Sequence, residues 1–116
     1  MALEWTKSPA NENLTTEELR QQRKHKLIEY GALVMMVHEW SQRRIEEIKP
    51  ENSPGMQKSQ RLMIEATVTA VQNAVVAAEV AIQGAEGNVD DTEIFDNARR
   101  LRDALYAIYI EAEFNL

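Results

Sequence analysis

Cysteine is absent from the 116 residues, which excludes disulfides, thiolate-bound zinc, iron–sulfur clusters and cysteine nucleophiles. Small secreted domains usually rely on such cross-links, so their absence points to a reducing, cytoplasmic setting. Glycine and proline number only four and three, whereas a sandwich or barrel needs many more turn residues. No run of about 18 uncharged apolar residues occurs, because Gln72, Asn73 and Glu79 interrupt the longest candidate. The opening MALEWTKSPANEN has no basic start followed by an apolar stretch, so neither a signal peptide nor a membrane partner is expected. The net charge is −6, from 19 acidic and 13 basic residues. That argues against nucleic acid held through its phosphate backbone, which needs a dense basic surface. It is also too weak for a DNA mimic.

What is present reads as one all-α domain. A chain this short supports a single core with little room for an enclosed active site. Thr15-Thr16-Glu17-Glu18 is a capping box, flanked by Leu14 and Leu19 at staple positions. The first helix then runs to Lys49, because Pro50 cannot continue the ladder. Ser53 followed by Pro54 suits an N-cap and first helical position, and this second helix extends to about Gly84, with Gly87 and Asn88 as terminators. Asp90 is expected to cap the third helix, with Glu93 three residues on and Val89 and Ile94 as its staple. Short connections predict three long antiparallel helices, up-down-up, spanning 14–116, after a flexible N-terminal segment 1–13.

The apolar pattern exceeds what three helices need. Ile94, Ala98, Leu101, Leu105, Ile108 and Ala112 form one ordinary stripe on the third helix. The second helix is different: Arg61, Glu65, Thr69, Gln72, Glu79, Gln83 and Glu86 confine its polar residues to one stripe, broken only by Val76. Ala32-Leu33-Val34-Met35-Met36-Val37 is apolar all round the first helix, and Tyr106, Ile110 and Phe114 make a second line on the third. A monomer would leave such surfaces wet, so a homo-oligomer is expected to complete the bundle. Its expected interface comprises Leu33, Val37, Trp40, Val68, Val71, Val75, Val76, Tyr106, Ile110 and Phe114. The alternative is a monomer with the N-terminal segment folded over the exposed face.

Candidate chemistry is sparse. His25 and His38 stand about 140° apart around one helix, so they cannot share a metal within the chain, and no cofactor or metal is expected. His38, beside the apolar band, reads as a core-edge or interface residue. Serines 41, 53 and 59 have no His and acid arrangement around them, and Met35, Met36, Met56 and Met63 read as core filler. Asp96/Arg100, Arg99/Asp103 and Glu39/Arg43/Glu47 have the i,i+4 spacing of surface ion pairs.

Arg20, Arg23, Lys24, His25 and Lys26 form the one dense basic cluster, with Arg43 and Arg44 a smaller one. They read either as a solvated face beside Glu17, Glu18 and Glu29, or as a docking site for an anionic ligand or acidic partner. The spacing Arg20-x4-His25 resembles the motif of the higher-eukaryote-and-prokaryote nucleotide-binding (HEPN) ribonucleases, which implies that the two residues position and protonate an RNA phosphodiester. The layout of basic stretch, long helix, Pro/Ser turn and Ala-rich helix is similar to the helical sponges by which phages sequester cyclic nucleotides in counter-defence. The third helix departs from that compact plan. With no catalytic set, the expectation is a non-enzymatic interaction protein, an adaptor, inhibitor or structural component of a phage or bacterium. The sponge and the ribonuclease are the alternatives.

Overall fold

A computed structural model describes residues 15–116, and the expectations for residues 1–13 and for Leu14 lie outside it. The described chain is three helices with no strand among the described residues: α1 (Thr16–Glu47), α2 (Lys58–Glu86) and α3 (Thr92–Asn115). Its extents are 60 × 33 × 17 Å and its radius of gyration is 18.5 Å, where a compact chain of this length would show about 13 Å. The described part is a long, thin slab. None of the described helices is long and apolar enough to cross a membrane.

The capping box forms as its sequence dictates: Glu18 N–H donates to Thr15 Oγ1 at 3.1 Å, and Thr15 N–H donates back to Glu18 Oε1. Other boundaries differ from expectation, and α1 ends at Glu47 rather than Lys49. Ser53 does not cap α2, because its hydroxyl donates to the Glu47 carbonyl while the Asn52 amide donates to the Glu46 carbonyl at 2.8 Å. Both side chains thus satisfy the orphan carbonyls at the end of α1, and α2 begins only at Lys58, after Gln57. Arg61 closes the connection from the other side, donating to the carbonyls of Ile48 (2.6 Å) and Ser53 (2.9 Å). At α3 the cap is Asp91, whose carboxylate accepts from the Ile94 amide at 3.1 Å. Asp90, expected in that role, is held by Arg20 instead.

The core follows a 3–4 spacing on every helix. Leu27, Tyr30, Val34, Val37 and Ser41 are buried on α1. Ile64, Val68, Val71, Val75, Ala78, Ile82 and Ala85 are buried on α2. Ala98, Leu105 and Ala112 are buried on α3, with Ile94, Leu101 and Ile108 packed against them. This 3.5-residue repeat is that of helices meeting along coiled-coil seams. Each fully buried Val or Leu contributes on the order of 1.5–3 kcal/mol. Aromatic pairs join α1 to α3: Tyr30 with Phe95, centroids 6.1 Å apart, and Trp40 edge-on to Tyr109 at 5.3 Å. Ser41 is wholly buried, and its hydroxyl donates to the His38 carbonyl at 2.7 Å.

Candidate functional site

The basic residues of α1 do not act as one patch, because successive side chains turn about 100° around a helix. Arg20 is ion-paired to Glu17 (2.6 Å) and Asp90 (3.1 Å). These contacts raise the Arg20 pKa, chiefly through the hydrogen bond it donates to Asp90, and lower that of Asp90, chiefly through the same bond. Arg23 is buried: it donates to the Val89 carbonyl at 2.9 Å and the Thr92 hydroxyl at 2.7 Å, and lies over the Phe95 ring. It clamps the α2–α3 connection to α1. Lys24 is exposed, and His25 is 75% exposed with Glu29 Oε1 at 3.4 Å. The members of the Arg20-x4-His25 pair therefore have different surroundings, Arg20 paired to the α2–α3 connection and His25 in solvent.

Arg23 and Lys26 do share a groove between α1 and α3. Its volume is about 650 Å³; Leu19, Gln22 and Tyr30 line the α1 side, and Thr92, Phe95, Asp96 and Arg99 the α3 side. Burial pushes the Tyr30 hydroxyl pKa up. Three cations and two aromatic rings thus line one groove, with one carboxylate among them: Asp96 lies 3.7 Å from Arg99. Arg99 was not visible as a partner of the α1 cluster, because only the packing of α3 brings it there.

Arg43 and Arg44 lie at the far end of the α1–α3 interface, in a groove of about 280 Å³ with Trp40, Glu47, Glu113 and Leu116. Glu47 pairs with Arg44 at 3.0 Å and not with Arg43, and Arg44 Nε is buried with no hydrogen-bond partner among the described residues. On α3 the ion pairs are Arg99–Asp96 and Arg102–Asp103, so the expected i,i+4 partners are replaced by nearer ones. Among the described residues no three His, Asp or Glu side chains converge as a metal site.

The expected interface residues divide in two. Val37, Trp40, Val68, Val71 and Val75 are buried in the chain's own core, where the other two helices cover them, and Leu33 is half-buried. Val76, Tyr106, Ile110 and Phe114 are exposed, Phe114 at 87%. Exposed apolar side chains also occur outside the expected interface: Ile28, Met35 and Met36 on α1, and Leu62, Met63 and Val80 on α2. Met35, Met36 and Met63 are thus surface residues rather than core filler; of the four singled out, only Met56 packs on the core. His38 is exposed as well. A groove of about 500 Å³ between α1 and α2 takes in Ile28, Gly31, Ala32 and Met35, with Glu79 and Gln83 at its edge.

The site and the fold together define an all-helical protein whose helices each carry an outward apolar line. No family model, curated protein or solved structure matches the chain.

Proposed function

We propose that this chain is a cytoplasmic, non-enzymatic interaction protein that self-associates through its helices and acts by binding a partner. One observation carries the reading: Ile28, Met35, Met63, Val80 and Phe114 are more than half exposed on the outward faces of all three helices. Large apolar side chains scattered singly need no explanation, but lines of them on long helices mark interaction surfaces. An up-down-up arrangement underlies it. That topology is supported by Tyr30 meeting Phe95 and Trp40 meeting Tyr109, which run α1 and α3 the same way, and by Leu27 and Ile28 sharing a groove with Ile82 and Glu86. Native mass spectrometry, with light scattering from micromolar to millimolar protein, tests the reading. A dimer or higher multiple is expected; a monomer across that range overturns it.

The α1–α3 groove favours a second reading, in which a small anionic ligand such as a cyclic nucleotide is sequestered. Lys26 and Arg99 supply charge there, and Tyr30 and Phe95 supply ring faces for a base. Isothermal titration with cyclic mono- and dinucleotides is the test, comparing the parent with Lys26→Ala. Loss of measurable heat in the variant supports this reading, and no heat with the parent removes it.

A further inference from the structure

The α1–α3 groove carries more positive charge than its own lining neutralises. Arg23 and Lys26 stand on its α1 side and Arg99 on its α3 side. Among the described residues, Asp96 is the one carboxylate in that lining, and none forms an ion pair with Arg23 or Lys26. Arg99 has Asp96 at 3.7 Å, beyond the reach of a normal hydrogen bond. Acids around the groove are committed elsewhere: Glu17 and Asp90 flank Arg20, and Asp103 takes Arg102. Three cations against one carboxylate leave two positive charges without a counterion.

Burial makes part of that surplus costly. Arg23 is only 9% exposed, and its hydrogen bonds go to a carbonyl and a hydroxyl, both neutral. A buried charge is unfavourable unless an opposite charge accompanies it. Thr92 and Phe95, which line the groove, belong to the first turn of α3. The positive end of that helix dipole adds to the same potential. Anions collect where such fields converge.

The size of the groove describes the rest of the ligand. Its volume of about 650 Å³ falls among pockets that take small organic molecules. An inorganic anion would leave most of it empty. Leu19 and Phe95 lie in the same lining as the cations and offer apolar contact to a flat organic group.

We infer that the groove binds an organic phosphomonoester, its phosphate between Lys26 and Arg99 and its planar part against Leu19 and Phe95. This rests on the second reading above for an anionic ligand in this groove, and differs from it in the phosphate. A monoester carries close to two negative charges at neutral pH, whereas a cyclic diester carries one on each phosphate. Two match the surplus; one leaves a cation unpaired. Lys26 presents three donors and Arg99 a planar fork, both suited to phosphate oxygens. Arg23 contributes charge while keeping its bonds to Val89 and Thr92.

Isothermal titration compares the 5′-monophosphates of adenosine and guanosine with their 3′,5′-cyclic forms and with inorganic phosphate. Each nucleotide pair shares a base and a sugar and differs in phosphate charge. One monophosphate should bind at least about tenfold more tightly than its cyclic form, the order of one added charge-assisted hydrogen bond. Lys26→Ala and Arg99→Ala change exposed side chains, and each should remove that preference. Asp96→Asn deletes the lining carboxylate and should tighten the monophosphate, a gain that misfolding does not produce. Unchanged or weaker binding in Asp96→Asn overturns the charge match. A cyclic form that binds as tightly as its monophosphate overturns the inference and leaves the second reading. Monophosphate affinity that is unchanged in both alanine variants, or equalled by inorganic phosphate, overturns the inference as well. Heat with a monophosphate and none with the cyclic forms upholds it and removes the cyclic reading. No heat with any of these ligands overturns both. Circular dichroism of each variant verifies that the helices are intact.

Discussion

Arg23 donates from Nη2 to Thr92 Oγ1 at 2.7 Å, across 69 positions of sequence, and so ties the start of α1 to the first residue of α3. The same guanidinium takes the Val89 carbonyl and lies 5.4 Å from the centre of the Phe95 ring. A cation near a helix N-terminus opposes the helix dipole. The hydrogen bonds and the ring contact offset that cost, and they commit Arg23 to holding the fold.

Arg23→Ala is therefore expected to destabilise the protein by about 1–3 kcal/mol, the cost of leaving buried polar groups without partners. Urea denaturation measures this directly. Lys26→Ala, at an exposed site in the same groove, should change stability by less than about 0.5 kcal/mol. Equal stability of parent and Arg23→Ala would show that the clamp contributes nothing.

Asp90 has its pKa lowered below the ordinary 3.8, first through its hydrogen bond from Arg20. A carboxylate whose folded pKa is depressed contributes stability above its unfolded pKa and loses it as pH falls through the folded one. The difference in melting temperature between the parent and Asp90→Asn should hence be greatest above pH 3.8 and close as the solution is made more acidic. Glu17, lowered chiefly by its hydrogen bond from Gln21 and then by Arg20, acts in the same sense within one helix. A difference that stays constant from neutral pH down to pH 2 would count against the Arg20–Asp90 contact.

Leu105 is wholly buried at the centre of the α3 stripe. Leu105→Ala should cost about 2–5 kcal/mol, because transfer energy is lost and a cavity remains. Ser41 is equally buried, yet Ser41→Ala should cost less than about 1 kcal/mol. Its hydroxyl donates to the His38 carbonyl on its own helix, and the substitution takes the donor away with its need for a partner. Thermal or urea melts of the two variants, compared side by side, measure the contrast.

Much of the fold was legible in residue order. The Thr15–Glu18 box and the 3–4 spacing from Ile94 to Ala112 depend on contacts within a few residues, and both formed as read. Ser53 and Asp90 show where local reading stops. Each is a competent N-cap by type, but Ser53 was taken by the carbonyl of Glu47 and Asp90 by a guanidinium 70 positions away. The candidate site was less legible still. The α1 cluster looked continuous along the chain, yet packing buried Arg23, paired Arg20 and left Lys26 to meet Arg99 from another helix.

Helix number, chemical type and the surplus of apolar side chains were determined by the sequence alone, since propensity, capping and periodicity are properties of neighbouring residues. Which apolar line faced inward was not. On α2 the choice lay between Val68, Val71 and Val75 and the alanine-rich line from Met63 to Gly84, both with the same period. The tertiary structure decided it by burying Val68, Val71 and Val75, because larger side chains remove more apolar surface from water. Ala66, Ala70 and Ala77 were left facing outward.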